Sequence, residues 1–257
     1  MIDQKTKIIV FLSNKGGTGK STMVANISHV LATTFNKRVG IIDLDIHNPD
    51  MPSIFGVTDR KISLQAKKLI PVKIFPNLHI ISYGFFLNDL RMPVIMRGRQ
   101  KKQVVDQFIN DTDWSDFDYI MVDMPTGISD EVTGFFDYVK HVHGVVFVTS
   151  SQDISMTGIV RSIEFALQYN MPSVGIIENM LTAKCTNCGA ELEIYKRDSI
   201  EKISEEYKIS IIAKFPFSRD LLVSTDIGVP FVEKFENAAE VETFKSIAEK
   251  IMGKTNQ

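Results

Sequence analysis

The stretch "IIVFLSNKGGTGKST", residues 8–22, limits the architectures open to this chain more than any other part of it. An apolar run passes into a glycine-rich turn and then into a segment, 20–35, whose Met23, Val24, Ile27, Val30 and Leu31 share one helical face. Strand, loop and helix in that order make a phosphate cradle. Gly16, Gly17 and Gly19 let backbone N–H groups turn inward around phosphate oxygens, and the helix N-terminus adds its partial positive charge. Lys20 then reaches the β- and γ-phosphates, and Ser21 offers its hydroxyl to Mg²⁺. The candidate nucleotide-binding residues run from Gly16 through Thr18 to Thr22. The strict pattern wants Gly at position 14; this chain has Asn14 there and places a second lysine, Lys15, inside the loop.

The rest of the chain repeats the alternation that the loop begins. Strands are expected at Lys7–Leu12, Val39–Leu44, Leu78–Tyr83, Tyr119–Asp123, Val145–Thr149, Ser173–Ile177 and Ile209–Ala213. Several are unbroken apolar runs, as parallel strands covered on both faces require. Between them lie helical patterns such as 155–169, with Ile159, Ile163, Phe165, Ala166 and Tyr169 on one side. This predicts a doubly wound, mostly parallel α/β sheet with helices on both faces, and 257 residues suffice for one large domain of that kind. Two small domains are also possible at this length; the single domain, 1–257, is the reading adopted.

A C-terminal helix near 237–252 is expected to start at Asn237 as N-cap, with Glu240 three residues later. Its stripe of Val241, Phe244, Ala248 and Ile251 sits among mixed charges, which suits docking on the domain better than membrane anchoring. The formal net charge of −2 provides no global basic field for nucleic acid or membrane, although Arg97, Arg99, Lys101 and Lys102 form a local basic run. The N-terminal apolar run is too short for a signal peptide, and no run is long enough to span a bilayer. The expectation is a cytoplasmic protein.

Phosphoryl transfer needs Mg²⁺ held and a water aligned, and two predicted strands end in acids suited to that work. Asp43 and Asp45 close the second strand and, by strand alternation, point to one cleft. Asp123 closes the fourth and is followed by a Pro-Thr-Gly loop. An aspartate at a strand end is ordinarily a turn residue. Beside a phosphate loop, the functional reading is favoured.

The K-G-G-x-G-K-[ST] loop resembles the deviant Walker A loop of the MinD/ParA/Mrp class of P-loop ATPases. Further along, the match narrows to the Mrp/ApbC-type iron–sulfur carrier ATPases. "DLDIHNPDMPSIFG", "IISYGFF" followed by "VIMRGR", and "DWSDFDYIMVDMPTGISDE" are similar to motifs of that family. So are "GIIENM" before a C-x-x-C-G, and "FPFSRDLLVSTDIGVPFV". The chain departs from the family at Asn14 (usually Gly), Met96 (Trp), Arg99 (Pro), Thr126 (Pro) and the segment 149–153. The resemblance implies that Lys15 reaches across a nucleotide-sandwich homodimer to the partner's ATP. It also implies that Asp45 orients the attacking water, Asp43 supports the Mg²⁺ shell and Asp123 holds Mg²⁺ through water. Asn179 would read adenine, with the segment around Pro216 flanking the base; the plain alternative for Asn179 is a polar turn residue.

Cys185 and Cys188 are the only cysteines. Three readings compete: a redox pair, free thiols, or a metal site. A redox pair wants its cysteines opening a helix, whereas these follow a polar linker and precede Gly189, more like a metal knuckle in an insertion near 181–193. Two buried free thiols would need apolar surroundings, and none lie nearby. The five histidines (29, 47, 79, 141 and 143) lie outside the segment. Four-coordinate sites want four ligands, which two chains related by a twofold axis would supply. A shared [4Fe–4S] cluster satisfies the count and agrees with the family; zinc satisfies it equally.

The leading expectation is therefore a slow, ATP-binding homodimeric ATPase that holds an iron–sulfur cluster and hands it to apo-proteins. Its rivals are a positioning ATPase of the MinD/ParA kind, which would want a basic membrane helix or DNA-binding face, and a metallochaperone for zinc or nickel.

Overall fold

A computed structural model describes residues 2–150, 153–184, 187–193 and 199–255. Its centre is an eight-stranded sheet. In chain order the strands are β1 (Lys7–Leu12), β2 (Val39–Asp43), then, after a small hairpin of β3 (Ser63–Gln65) and β4 (Lys68–Ile70), β5 (Val72–Phe75) and β6 (Leu78–Ser82). They continue with β7 (Tyr119–Asp123), β8 (Gly144–Ser150) and β9 (Ser173–Asn179), and, after the hairpin β10 (Thr182–Lys184) and β11 (Glu191–Glu193), β12 (Ile211–Lys214). The spatial order is β12-β9-β8-β1-β7-β2-β6-β5, parallel throughout except for the antiparallel β5 edge. The inner strands β1, β2, β7 and β8 are almost wholly buried, which explains their unbroken apolar sequences.

Helix α1 (Lys20–Thr33) lies on one face, covered by the C-terminal helix α9 (Ala239–Thr255) through Val241, Phe244, Ile247, Ala248 and Ile251. Sandwiched between sheet and α9, α1 buries all but three of its residues. The short α2 (Met51–Ile54), α7 (Arg219–Asp226) and α8 (Phe231–Lys234) pack near it. The other face carries α3 (Gly98–Asn110), α4 (Asp130–Tyr138), α5 (Asp153–Gln168) and α6 (Ser199–Tyr207) over a second apolar core that includes Phe108, Trp114 and Phe135.

Three expectations change. Helix α9 begins two residues after Asn237, which therefore lies outside its first turn. The β3–β4 hairpin was not expected, because its two turn residues, Ala66 and Lys67, both take positive φ without the Gly or Asn that normally announces such a turn. The basic run is partly neutralised, because Lys101 pairs with Glu131 (2.9 Å) and Lys102 with Asp137 (3.1 Å). Among the described residues no helix is long and apolar enough to cross a membrane.

Candidate nucleotide site

Parallel pairing brings the C-terminal ends of the central strands to one edge of the sheet. β1 runs between β7 and β8, so the loop after Leu12 stands between the ends of both neighbours. Asp43 and Asp123 are directly opposite each other across β2 and β7, and Ser150 is opposite Asn179 across β8 and β9. Acids 80 residues apart in the chain meet because both end strands in register.

The loop itself is anchored on two sides. The Gly127 N–H donates to the Ser13 carbonyl (3.2 Å), tying it to the loop after β7. On the other flank Asn14 packs toward α5, where a Cβ at Gly158 would lie 3.2 Å from the Asn14 Cβ. The first bond of α1 runs from the Met23 N–H to the Gly19 carbonyl. Gly19 has φ 83, and a Cβ there would come within 2.5 Å of the Asn179 amide nitrogen, so the position tolerates no side chain. Thr18 and Lys20 are buried; Lys15, Ser21 and Thr22 are half-buried, and Gly16 and Gly17 are exposed. Lys20 Nζ is paired with Asp123 Oδ1, and both groups are out of solvent.

Asp43 is enclosed by donors. Its Oδ2 accepts from the Ser82 hydroxyl (2.8 Å) and the Met51 N–H (3.4 Å), and its Oδ1 from the Asp45 N–H (3.1 Å). Ser82 in turn accepts from the Gly84 N–H (3.2 Å), so the Ser-x-Gly segment orients the Asp43 carboxylate. Burial first, and then the charge of Asp123, push the Asp43 carboxyl well above the ordinary carboxylate range. Burial also raises Asp45, against a hydrogen bond from the Asn48 N–H (3.1 Å) that favours its ionised form.

The route by which Asp45 arrives differs from the expectation. β2 stops at Asp43, so strand alternation does not govern Asp45; a loop carries it between Leu44 and Ile46, both fully buried, and it feels the charges of Lys20 and Asp123. Three carboxylates, Asp43, Asp45 and Asp123, thus share one lysine in a largely buried space. That surplus of negative charge suits a divalent cation. Among the described residues no three His, Cys, Asp or Glu groups close into a metal cluster of their own. A partial donor set is what Mg²⁺ uses when phosphates and waters complete its octahedron. Asp43 and Asp123, with the Ser21 hydroxyl of the loop, are the residues that would hold it, and Mg²⁺ would supply charge neutralisation on the phosphates there.

Two further acids escaped the sequence reading. Glu131, at the start of α4, is buried with one oxygen on Lys101. Asp130 packs over the N-terminus of α3, so close that a Cβ at Gly98 would meet its Oδ2 at 2.4 Å. The glycine of the "RGR" motif is thereby explained by the "SDE" motif.

On the far side of the loop, the Asn179 amide donates to the Thr18 carbonyl (2.9 Å) and accepts from the Met180 N–H (3.0 Å). These two bonds fix the side chain and leave its second N–H and the second lone pair of Oδ1 for a further partner. Pro216, half-buried, lies in a segment bonded to the strand that leads to the cysteines, with the Leu181 N–H on Phe215 O (3.1 Å) and the Phe217 N–H on Thr182 O (2.6 Å). Cys188 is exposed, beyond β10. Cys185 lies outside the described residues.

Residues 4–252 match the ParA-type family described as NUBPL iron-transfer P-loop NTPase. The chain is 32% identical to the cytosolic Fe-S cluster assembly factor NUBP1 homolog of Caenorhabditis briggsae, covering 97% of this chain and 81% of that protein. It is equally 32% identical to the iron-sulfur cluster carrier protein of Methanocaldococcus jannaschii, covering 96% and 85%. Among solved structures, a nucleotide-binding protein of Archaeoglobus fulgidus in complex with ADP superposes with a TM-score of 0.77 at 27% identity, over 93% of this chain and 91% of that one. The septum site-determining protein MinD of Pyrococcus horikoshii, complexed with Mg-ADP, shares the fold (TM-score 0.69, 20% identity, 96% of each chain). With its strand-end acids, phosphate loop and near full-length match, this chain belongs to the NUBPL iron-transfer family of P-loop NTPases.

Proposed function

We propose that this protein is a cytoplasmic, homodimeric ATPase of slow turnover that carries an iron–sulfur cluster, its cargo, to apo-proteins. The observation that carries the nucleotide half is the trio Asp43, Asp45 and Asp123 gathered around Lys20 of a phosphate loop. The cargo half rests on the family and on relatives named as a cluster assembly factor and a cluster carrier.

In this reading the N–H groups of Gly16 to Thr22 receive the phosphates of ATP, and Lys20 turns from Asp123 to the β- and γ-oxygens. Asp123, released from that ion pair, and Asp43, held by Ser82, face the Mg²⁺ shell together with the Ser21 hydroxyl. Asp45 orients the attacking water. Lys15 acts on the nucleotide of the second protomer, so hydrolysis depends on dimerisation. Residues 1–257 work as one domain, with 181–193 as a cysteine-bearing insertion and the C-terminal helix as a clamp on α1.

Cys185 and Cys188 of two protomers supply four thiolates to the cargo. Anaerobic reconstitution with iron and sulfide is expected to load about four of each per two chains. The double variant Cys185→Ser/Cys188→Ser should lose that loading and keep ATP binding. Wild-type protein that takes up zinc but neither iron nor sulfide would replace the cluster with a zinc cargo and reject the carrier role.

A further inference from the structure

The loop after β7 serves the phosphate loop only while it lies in one place beside it. Its near end is anchored by the pairing of Asp123 with Lys20 and by the Gly127 N–H, which donates to Ser13 O (3.2 Å). The first of these anchors is given up when Lys20 turns to the phosphates. Thr126 and Ile128 are exposed, so the loop has little packing of its own. Its far end is the start of α4, and there the anchors come from α3. Asp130 packs over Gly98, and Glu131 Oε1 meets Lys101 Nζ at 2.9 Å. The first turns of the two helices are thereby interlocked.

The Lys101–Glu131 pair is more than a surface stitch. Its side chains are 15% and 2% exposed, and Lys101 is the one ion-pair partner of Glu131 among the described residues. The next lysine, Lys102, makes the exposed version of the contact, with Asp137 at 3.1 Å. An apolar pair would join α3 to α4 without desolvating two charges, but apolar attraction has no direction. A buried ion pair fixes where Glu131 sits, because a shift would leave its charge out of water and unpaired. The charge of Glu131 also reaches Asp45, which sets the pair at the wall of the nucleotide site.

We infer that Lys101 is a positioning residue for hydrolysis: through Glu131 it sets where the loop 124–129 lies against the phosphate loop. The inference rests on the nucleotide-binding reading and adds to it a residue that touches neither nucleotide nor metal.

Turnover and affinity separate this role from binding. Turnover per chain at saturating Mg-ATP, taken where it no longer depends on protein concentration, should fall about 10- to 100-fold in Lys101→Met, the loss that misplaced reacting groups produce. Calorimetric ATP affinity should stay within about threefold of wild type. Lys101→Arg keeps the cation and should keep most of the turnover. Lys102→Met breaks only an exposed pair and should change neither quantity. Lys101→Met leaves Glu131 buried and unpaired, which lowers the melting temperature. Lys101→Met/Glu131→Gln removes that charge, and should regain the melting temperature while turnover stays low. Turnover that returns with the melting temperature would make the role merely structural and overturn the inference. So would unchanged turnover in Lys101→Met, an affinity that falls as far as turnover, Lys101→Arg as slow as Lys101→Met, or an equal loss in Lys102→Met. Wild-type protein that binds no ATP would bring down the nucleotide reading itself.

Discussion

Gly56 and Gly228 come from two separate sequence motifs and meet backbone to backbone where α2 packs against α7. Both lie in the left-handed region, at φ 62 and φ 71. A Cβ at Gly228 would approach Gly56 Cα to 2.5 Å, Gly56 N to 2.8 Å and Ser53 O to 3.0 Å. These atoms are all backbone, so no flexible side chain can yield. Gly228→Ala therefore carries two costs: about 1–2 kcal/mol for an L-residue in that conformation, and about 1–3 kcal/mol for forcing two main chains apart. A central sum of about 3.5 kcal/mol, in a domain of this size, lowers the melting temperature by about 7–14 °C. Thermal unfolding followed by near-ultraviolet circular dichroism, which reports on the buried Trp114, measures it directly. Gly253→Ala is the control. It sits in α9 with nothing within 4 Å of its Cβ, and should stabilise by up to about 1 kcal/mol. Adding Gly56→Ala to Gly228→Ala should cost less than the sum of the two, because the first methyl already opens the gap the second needs. A Gly228→Ala protein melting within about 1 °C of wild type would refute the contact argument, since its smallest component alone predicts more.

Asp43→Asn should abolish ATP hydrolysis and change the pH dependence of stability. The folded carboxyl titrates above its ordinary 3.8, so wild-type protein loses relative stability as pH rises from 3.8 through that raised value. Asn turns one acceptor toward the donors around it, a cost that does not vary with pH, so the stability of the variant relative to wild type should rise from pH 4 toward neutral pH. A difference that stays constant or falls over that range would contradict the sign. Ser82→Ala removes the shortest of the contacts to Asp43 and should cost about 1–3 kcal/mol of stability, and it should slow ATP turnover more than it weakens ATP binding. Turnover unchanged alongside lowered stability would leave Ser82 without a role at Asp43. Lys20→Met leaves Asp123 buried without its partner, at about 3–5 kcal/mol. Lys20→Met/Asp123→Leu should recover most of that stability in denaturant titration while ATP binding stays lost; recovery of binding would show that Lys20 does not meet the phosphates.

What the sequence made legible follows from how local each signal is. The first strand, loop and helix are spelled by contiguous residues, and the inner strands are marked by unbroken apolar runs, so seven of the eight strands of the sheet could be read and the edge strand β5 could not. Edge features carried no such mark, and the β3–β4 turn uses Ala66 and Lys67 where Gly or Asn would have announced it. The site was legible as a set of residue types and not as a set of contacts. Lys20 and Asp123 are 103 positions apart, and only the register of β1 with β7 pairs them. Ser82 could be recognised as part of a motif, but its bond to Asp43 depends on β2 and β6 ending side by side. Asn179 shows the same limit most sharply. Its place after a central strand pointed to a base, and its bond to a carbonyl 161 positions earlier in the chain could not be read there. A side chain that braces the phosphate loop and also fixes the turn toward β10 responds to both ends. Any shift of the Thr18 carbonyl on nucleotide binding must be taken up at Met180, whose backbone already occupies an uncommon conformation. The start of β10 is thus tied to the phosphate loop by the Asn179 amide, and a change in Cys188 alkylation rate on adding ATP, lost in Asn179→Ala, is the result this connection requires.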